Sequence, residues 1–329
     1  MNSSTATSAE FRPDNPTNPT ALRLIGLDGT NPLGFLAAVG LFRVVSRSLA
    51  STVVKLGWVA TGGTWIPELS GATLTPAGLL NLLSASFSAV DEHPSLSLLA
   101  NATKQSSPSG PEQVTRRMVM LNRLSGISRE NVESADWIAA VISDAVPEDS
   151  INQLQTVRRD YFTGNIRSVV DRTHESHLER TIFSPWDYAD ALDNQSLHLD
   201  PTEDRRHAHQ WDKPSGDPNR KNQGGMLGAN RLALEAFPLF VSIPAGDALR
   251  TLSFSGQRST NTRWTWPIWS EPIDIDSMRS VLGFQELQKL EPTPADVSTL
   301  RGRGITAAFR TWRILVGKTP NFTPPERIA

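Results

Sequence analysis

The alternation of apolar and polar residues defines the first elements of the chain. From Ala21 to Leu27 the apolar run ALRLIGL ends at Asp28-Gly29, the pattern of a strand leaving into a turn. Thr30 or Asn31 then offers an N-cap and Pro32 a first helical residue. In the following LGFLAAVGLFRVVSRSLA, the residues Leu33, Leu36, Ala37, Gly40, Leu41, Val44 and Val45 share one helical face, with Arg43 and Arg47 off it. Gly34, Ala37, Ala38 and Gly40 keep that helix slim enough to approach a sheet closely. Val53 to Val59 and Thr64 to Leu69 read as two strands about a Gly62-Gly63 turn, with Trp58 and Trp65 flanking it. Thr75-Pro76 opens a second helix, PAGLLNLLSASFSAV.

The stretch from Ser95 to Pro111 is rich in Ser, Pro, Gly and Asn and predicts a surface loop. From Glu112 to Leu192 the periodicity is mainly helical, in EQVTRRMVMLNRL, in NVESADWIAAVISDAV and in one segment from Ile151 to about Thr181. Leu192 to Gly228 is polar and turn-rich. Strand signals return at Leu234 to Ile243, Leu249 to Ser255 and RWTWPIW, where Pro238 and Pro267 predict sheet edges or bulges. Asp276 to Leu290 reads as helix, and ITAAFRTWRILVG fits helix or strand. The order predicts an α+β fold: an antiparallel sheet with an N-terminal strand-turn-helix and a mainly helical central insertion. Its expected parts are a disordered leader (1–20), an N-terminal α+β part (21–111), the helical insertion (112–192), and a C-terminal α+β part (193–329) holding a basic loop (200–231).

Composition narrows the function classes. Of 329 residues 38% are hydrophobic, enough for one large core or two modest ones. Cysteine is absent, which removes thiol chemistry and any disulfide framework. The polar, Pro-rich N-terminus has no signal-peptide core, and the best apolar run, LGFLAAVGLF, is too short to span a bilayer, so the expectation is a soluble cytoplasmic protein. A net charge of −2 excludes a uniformly basic nucleic-acid coat, so any such contact must come from local clusters.

Three kinds of chemistry compete for the polar residues. His207 and His209, near Glu203 and Asp204, and the pair His174 and His177 have metal-ligand character. The two pairs lie about thirty residues apart without a shared pattern, which favours surface or hydrogen-bonding histidines. No nucleophile elbow, phosphate loop or dinucleotide fingerprint is present, so no catalytic residue, metal or cofactor is expected. The segment DPTEDRRHAHQWDKPSGDPNRKNQGGMLGANR (200–231) interleaves Arg205, Arg206, Lys213, Arg220, Lys221 and Arg231 with His207, His209, Trp211 and Asn230. Such a segment can bind phosphates while stacking on or reading a base, although Glu203, Asp204, Asp212 and Asp217 also fit a solvated, charge-balanced loop. A second basic patch holds Arg301, Arg303, Arg310, Arg313, Lys318 and Arg327, with Trp312 and Phe322 interspersed. Arg158, Arg159, Arg167, Arg172 and Arg180 form a third. Trp264, Trp266 and Trp269 are read first as core or interface and second as a stacking platform.

Two stretches carry a family resemblance. LIGLDGTNPLGFLAAVGLFRVV, through Pro32, Leu33, Leu36, Ala38, Gly40, Leu41 and Arg43, resembles the N-terminal signature of proteins from type I-U/I-G CRISPR loci. DPTEDRRHAHQWDKPSGDP is similar to a second stretch from the same loci at Asp200, Pro201, Asp204, Arg205, Arg206, Ala208, Trp211, Pro214 and Ser215. The resemblance implies a non-catalytic, large-subunit-like or accessory component of a crRNA-guided surveillance (Cascade) complex in antiviral defence. Its implied partners are crRNA, target DNA, the other Cascade subunits and the helicase-nuclease that the complex recruits. The alternatives are a protein-protein scaffold without nucleic-acid contact and a metal-dependent hydrolase using the histidine pairs.

Overall fold

Asn31 and Pro32 start the helix on which the molecule is built. The Asn31 side chain accepts the amides of Leu33 (2.8 Å) and Gly34 (3.2 Å). The computed structural model describes residues 21–87, 92–96, 125, 132–141, 152–154, 159–190, 196–202, 224–245, 248–256, 261–316 and 319–329. Its helices are α1 (Pro32–Ser48), α2 (Pro76–Ser86), α3 (Val132–Val141), α4 (Arg159–Arg172), α5 (Glu175–Phe183), α6 (Leu227–Glu235), α7 (Ile275–Leu282) and α8 (Pro294–Gly302). The strands are β1 (Leu22–Arg23), β2 (Lys55–Thr61), β3 (Thr64–Ser70), β4 (Ser242–Ala245), β5 (Ala248–Thr251), β6 (Phe254–Ser255), β7 (Arg263–Trp269), β8 (Ile305–Val316), β9 (Thr319–Phe322) and β10 (Glu326–Arg327).

The fold is α+β with antiparallel sheets. One sheet has the order β1-β3-β2, a second β10-β8-β7-β6 with β9 paired to β8, and β4-β5 forms a ribbon. The β2-β3 hairpin closes through Gly62 and Gly63, both at positive φ (58° and 93°), which matches the strand twist of a two-residue turn. The two larger sheets meet where Leu56 exchanges backbone hydrogen bonds with Ile273 (2.9 and 3.0 Å) and accepts the Trp269 indole N–H (2.7 Å). Phe35 of α1 stacks on Trp58 (5.7 Å) and lies against Trp264 and Trp266, so the N- and C-terminal parts share one continuous core.

Helix α1 departs from the one-faced pattern expected of it. Every residue from Pro32 to Val45 is buried, Arg43 included. The side predicted to be polar is covered by α3 and α6, which bring Glu133 (3.4 Å) and Glu235 (3.3 Å) to the Arg43 guanidinium. The strand expected over Leu234–Ile243 is also corrected: α6 runs to Glu235, a 3-10 turn holds Pro238, and only Ser242–Ala245 is extended. The cause is remote in sequence, because the Asp190 carboxylate accepts the Leu227 amide (2.7 Å) and caps α6 from 37 residues away.

Other elements match the pattern more closely. Thr75 caps α2, and ITAAFRTWRILVG resolves as strand β8. Strand β1 is shorter than ALRLIGL because the chain turns at Gly26, whose amide donates to Ile182. The segment read as one helix over 151–181 breaks between α4 and α5, with the Thr173 hydroxyl turned back onto the Val169 carbonyl (2.6 Å). Pro267 lies in β7 beyond the two-residue reach of β6, so its missing N–H faces no strand. The leader (1–20), the helix EQVTRRMVMLNRL and most of the 95–111 loop lie outside the described residues.

Candidate nucleic-acid interface

Both ends of the basic segment are fixed. The chain leaves for residues 203–223 at Thr202 and returns at Gly224, and Tyr188 touches both sides. Its hydroxyl donates to Asp200 (3.0 Å), whose other oxygen accepts the amide and hydroxyl of Thr202 (2.9 and 2.8 Å). A Cβ on Gly224 would lie 2.4 Å from the Tyr188 carbonyl and 2.2 Å from that of Asp190, so no other residue fits there. Tyr188 itself adopts φ 50°, a conformation L-residues rarely hold without support. Asp190 and Gly225 exchange backbone hydrogen bonds, and the Asp190 carboxylate also pairs with Arg180. Asn165 donates to the Ser196 carbonyl (2.8 Å) and Asn230 accepts the Leu197 amide (2.7 Å), which ties residues 196–202 to α4 and α6.

The residues expected to contact nucleic acid divide into three groups. Arg205, Arg206, His207, His209, Trp211, Lys213, Arg220, Lys221 and Lys318 lie outside the described residues. Asn230, Arg231 and Arg310 are buried and are corrected to structural roles. Asn230 holds Leu197 and donates to Met226 (3.0 Å), while Arg231 pairs with Glu235 and covers the Phe87 ring at 3.9 Å. Arg310 donates to Thr265 (2.9 Å) and to the Leu290 and Lys289 carbonyls (3.0 and 2.8 Å), and burial pushes its pKa down. Arg301 and Arg303 are exposed near the end of α8, Arg303 in an ion pair with Glu286 (3.0 Å). Arg313 is partly buried, a setting that lowers its pKa, with its Nε unbonded.

In the third cluster Arg167 and Arg172 are exposed on α4, whereas Arg180 is engaged by Asp187 (3.3 Å) and Asp190. Trp264 and Trp266 are fully buried with ring centroids 4.7 Å apart, and Trp269 is buried beside them. They are core and cannot reach a base.

Sequence reasoning missed a buried ion cluster. Arg43, Arg231, Glu235 and His93 meet between α1, α6 and the 92–96 turn, next to a cleft of about 200 Å³ lined by Arg47, Glu133 and Trp137. Burial opposes ionisation of Glu235, but Arg231, His93 and Arg43 together hold its carboxyl well below the usual carboxylate range. These charges satisfy one another, so the cluster joins helices rather than presenting chemistry to a substrate. Its signal in the sequence was the Arg231–Glu235 spacing of one helical turn.

The histidines have local partners. The His174 amide donates to His177 Nδ1 (3.1 Å) at the start of α5, and His177 Nε2 faces Asp190 at 3.7 Å. Among the described residues no three His, Asp or Glu side chains are arranged to hold a metal. No protein-family model matches the sequence and no curated protein matches it, so the residues themselves carry the functional reading.

Proposed function

We propose that this chain is a non-catalytic subunit of a crRNA-guided surveillance complex of the kind encoded by type I-U/I-G CRISPR loci. In this reading it contacts target DNA or guide RNA through residues 203–223, assisted by exposed arginines of the C-terminal patch. Its partners are the crRNA, the target DNA, the other Cascade subunits and the recruited helicase-nuclease, and it acts in the cytoplasm. No helix among the described residues is long and apolar enough to cross a membrane.

The observation that carries the reading is the closure of the basic segment at its base by Tyr188, Asp190 and Asp200. Five cations stand against four acids in residues 203–223, so the segment has a small positive balance with His207, His209 and Trp211 among the charges. Tethering both ends lowers the ordering cost of binding phosphates and a base. The resemblance of the DPTEDRRHAHQW stretch supports the same assignment.

Photo-crosslinking tests it. The full chain is irradiated with a thiouridine- or thiothymidine-bearing oligonucleotide and the adducts are mapped by mass spectrometry. Adducts are expected in the peptides covering His207 to Trp211. Adducts confined to other parts of the chain would overturn the proposal. A scaffold reading has one observation in its favour, the exposed Val241 and Ile243 beside and on β4, and predicts no adducts at all.

A further inference from the structure

Strand β8 carries the one aromatic ring among the large apolar side chains left exposed in the described residues. Trp312 is 37% exposed, and Ile314, two residues on and therefore on the same face, is 38% exposed. The ring is nevertheless fixed. The Trp312 backbone N–H donates to the Thr323 hydroxyl (3.0 Å), and its carbonyl accepts the Thr323 amide (2.9 Å). Its indole N–H donates to Glu326 (3.2 Å). The Arg263 guanidinium lies 3.9 Å from the ring centroid and is itself held by Glu291 (2.8 Å) and the Leu290 carbonyl.

A rigid, partly exposed indole loses little conformational freedom when a second planar group stacks on it. The charge around it selects the kind of planar group. Between Arg301 and Arg327 the sequence holds six cations against Glu326 alone, and Arg313 is the adjoining residue. Phosphates are therefore attracted to the same segment that presents the ring. Bases in a duplex have their faces covered by their neighbours, whereas unpaired bases stack on aromatic side chains with little regard to sequence.

We propose that Trp312 is a stacking platform for an unpaired nucleobase, so that the nucleic acid met by this chain is single-stranded there. The inference rests on the nucleic-acid reading above and adds the strand state and a contact residue to it. Trp312 takes the stacking role that Trp264 and Trp266, enclosed in the core, cannot fill.

The test measures equilibrium binding of the full chain to oligo-dT and oligo-rU of roughly 15 nucleotides, to an abasic strand of equal length, and to duplex. Trp312→Ala is expected to weaken binding to the base-bearing strands between about five- and a hundredfold. Trp312→Phe should retain most of the affinity, and the abasic strand should bind wild type and Trp312→Ala alike. Comparison of dT with rU separates DNA from RNA as the source of the base. Unchanged oligonucleotide affinity for Trp312→Ala overturns the proposal, and so does an equal loss on the abasic strand. Lost association with partner subunits at unchanged oligonucleotide affinity would instead make Trp312 a protein contact and overturn it. If replacement of the 203–223 cations abolishes binding while Trp312→Ala does not, the platform fails and the proposed function stands. If the wild-type chain binds no oligonucleotide, both fail.

Discussion

Glu235→Ala is expected to destabilise the fold by about 3–5 kcal/mol, read as a lower urea midpoint at unchanged slope. Arg43 and Arg231 are fully buried, and Glu235 is the carboxylate that touches both. Removing it leaves two desolvated guanidinium groups, with only Glu133 still within 3.4 Å of Arg43. That residual partner is itself shared with Arg47, so it cannot replace the buried carboxylate. The cost is that of uncompensated charge and exceeds what the loss of a surface ion pair would cause. The pH dependence has a defined sign. Because the folded state holds the Glu235 carboxyl below its ordinary 4.5, its contribution is present above that value. It is lost as pH falls toward the lowered folded value. Glu235→Gln should flatten that part of the acid limb of a stability-pH curve; an acid limb identical to wild type would contradict the assignment.

Gly40→Ala is expected to destabilise by about 1–3 kcal/mol, even though helix propensity alone favours Ala by roughly 1 kcal/mol. A Cβ at this position would lie 1.9 Å from the Leu232 carbonyl oxygen and 2.9 Å from the Ala236 amide nitrogen. Both atoms are backbone of α6 or its cap, so no side-chain rotation relieves the clash and the helices must separate. The control is Gly164→Ala in α4, where nothing lies within 4 Å of the added carbon and propensity should prevail. Thermal unfolding of the two variants should move in opposite directions. Stabilisation by Gly40→Ala would mean that α1 and α6 do not meet this closely.

The difference between these two glycines shows what could be read from the sequence. The small residues of α1 signalled close approach, and Asn31-Pro32, Thr75-Pro76 and Gly62-Gly63 marked local starts and turns correctly, because capping and turn chemistry act within three or four residues. The identity of the neighbour was not legible. Arg43 falls off the apolar face by spacing, yet it is buried because Glu235 lies opposite it, 192 residues away. Helix α6 was misread as strand at its end for the same reason, since its capping carboxylate is Asp190. The candidate site behaves likewise. Composition picked out residues 200–231, but Tyr188, Asp190 and Asn165, which hold its base, carry no local signature, and Asn230 and Arg231 turned out to belong to that support. Trp264 and Trp266 illustrate the converse: alternation predicts one exposed face for a surface strand, whereas β7 is covered on both sides.

The basic segment is most directly tested by the salt dependence of binding. Arg205, Arg206, Trp211, Arg220 and Lys221 are replaced together by Ala, and affinity for single-stranded DNA is followed against salt concentration for the variant and the wild type. Loss of four cations should lower the affinity at every salt concentration and reduce the slope of log K against log salt by up to roughly three. Unchanged affinity with an unchanged slope would contradict contact between residues 203–223 and nucleic acid.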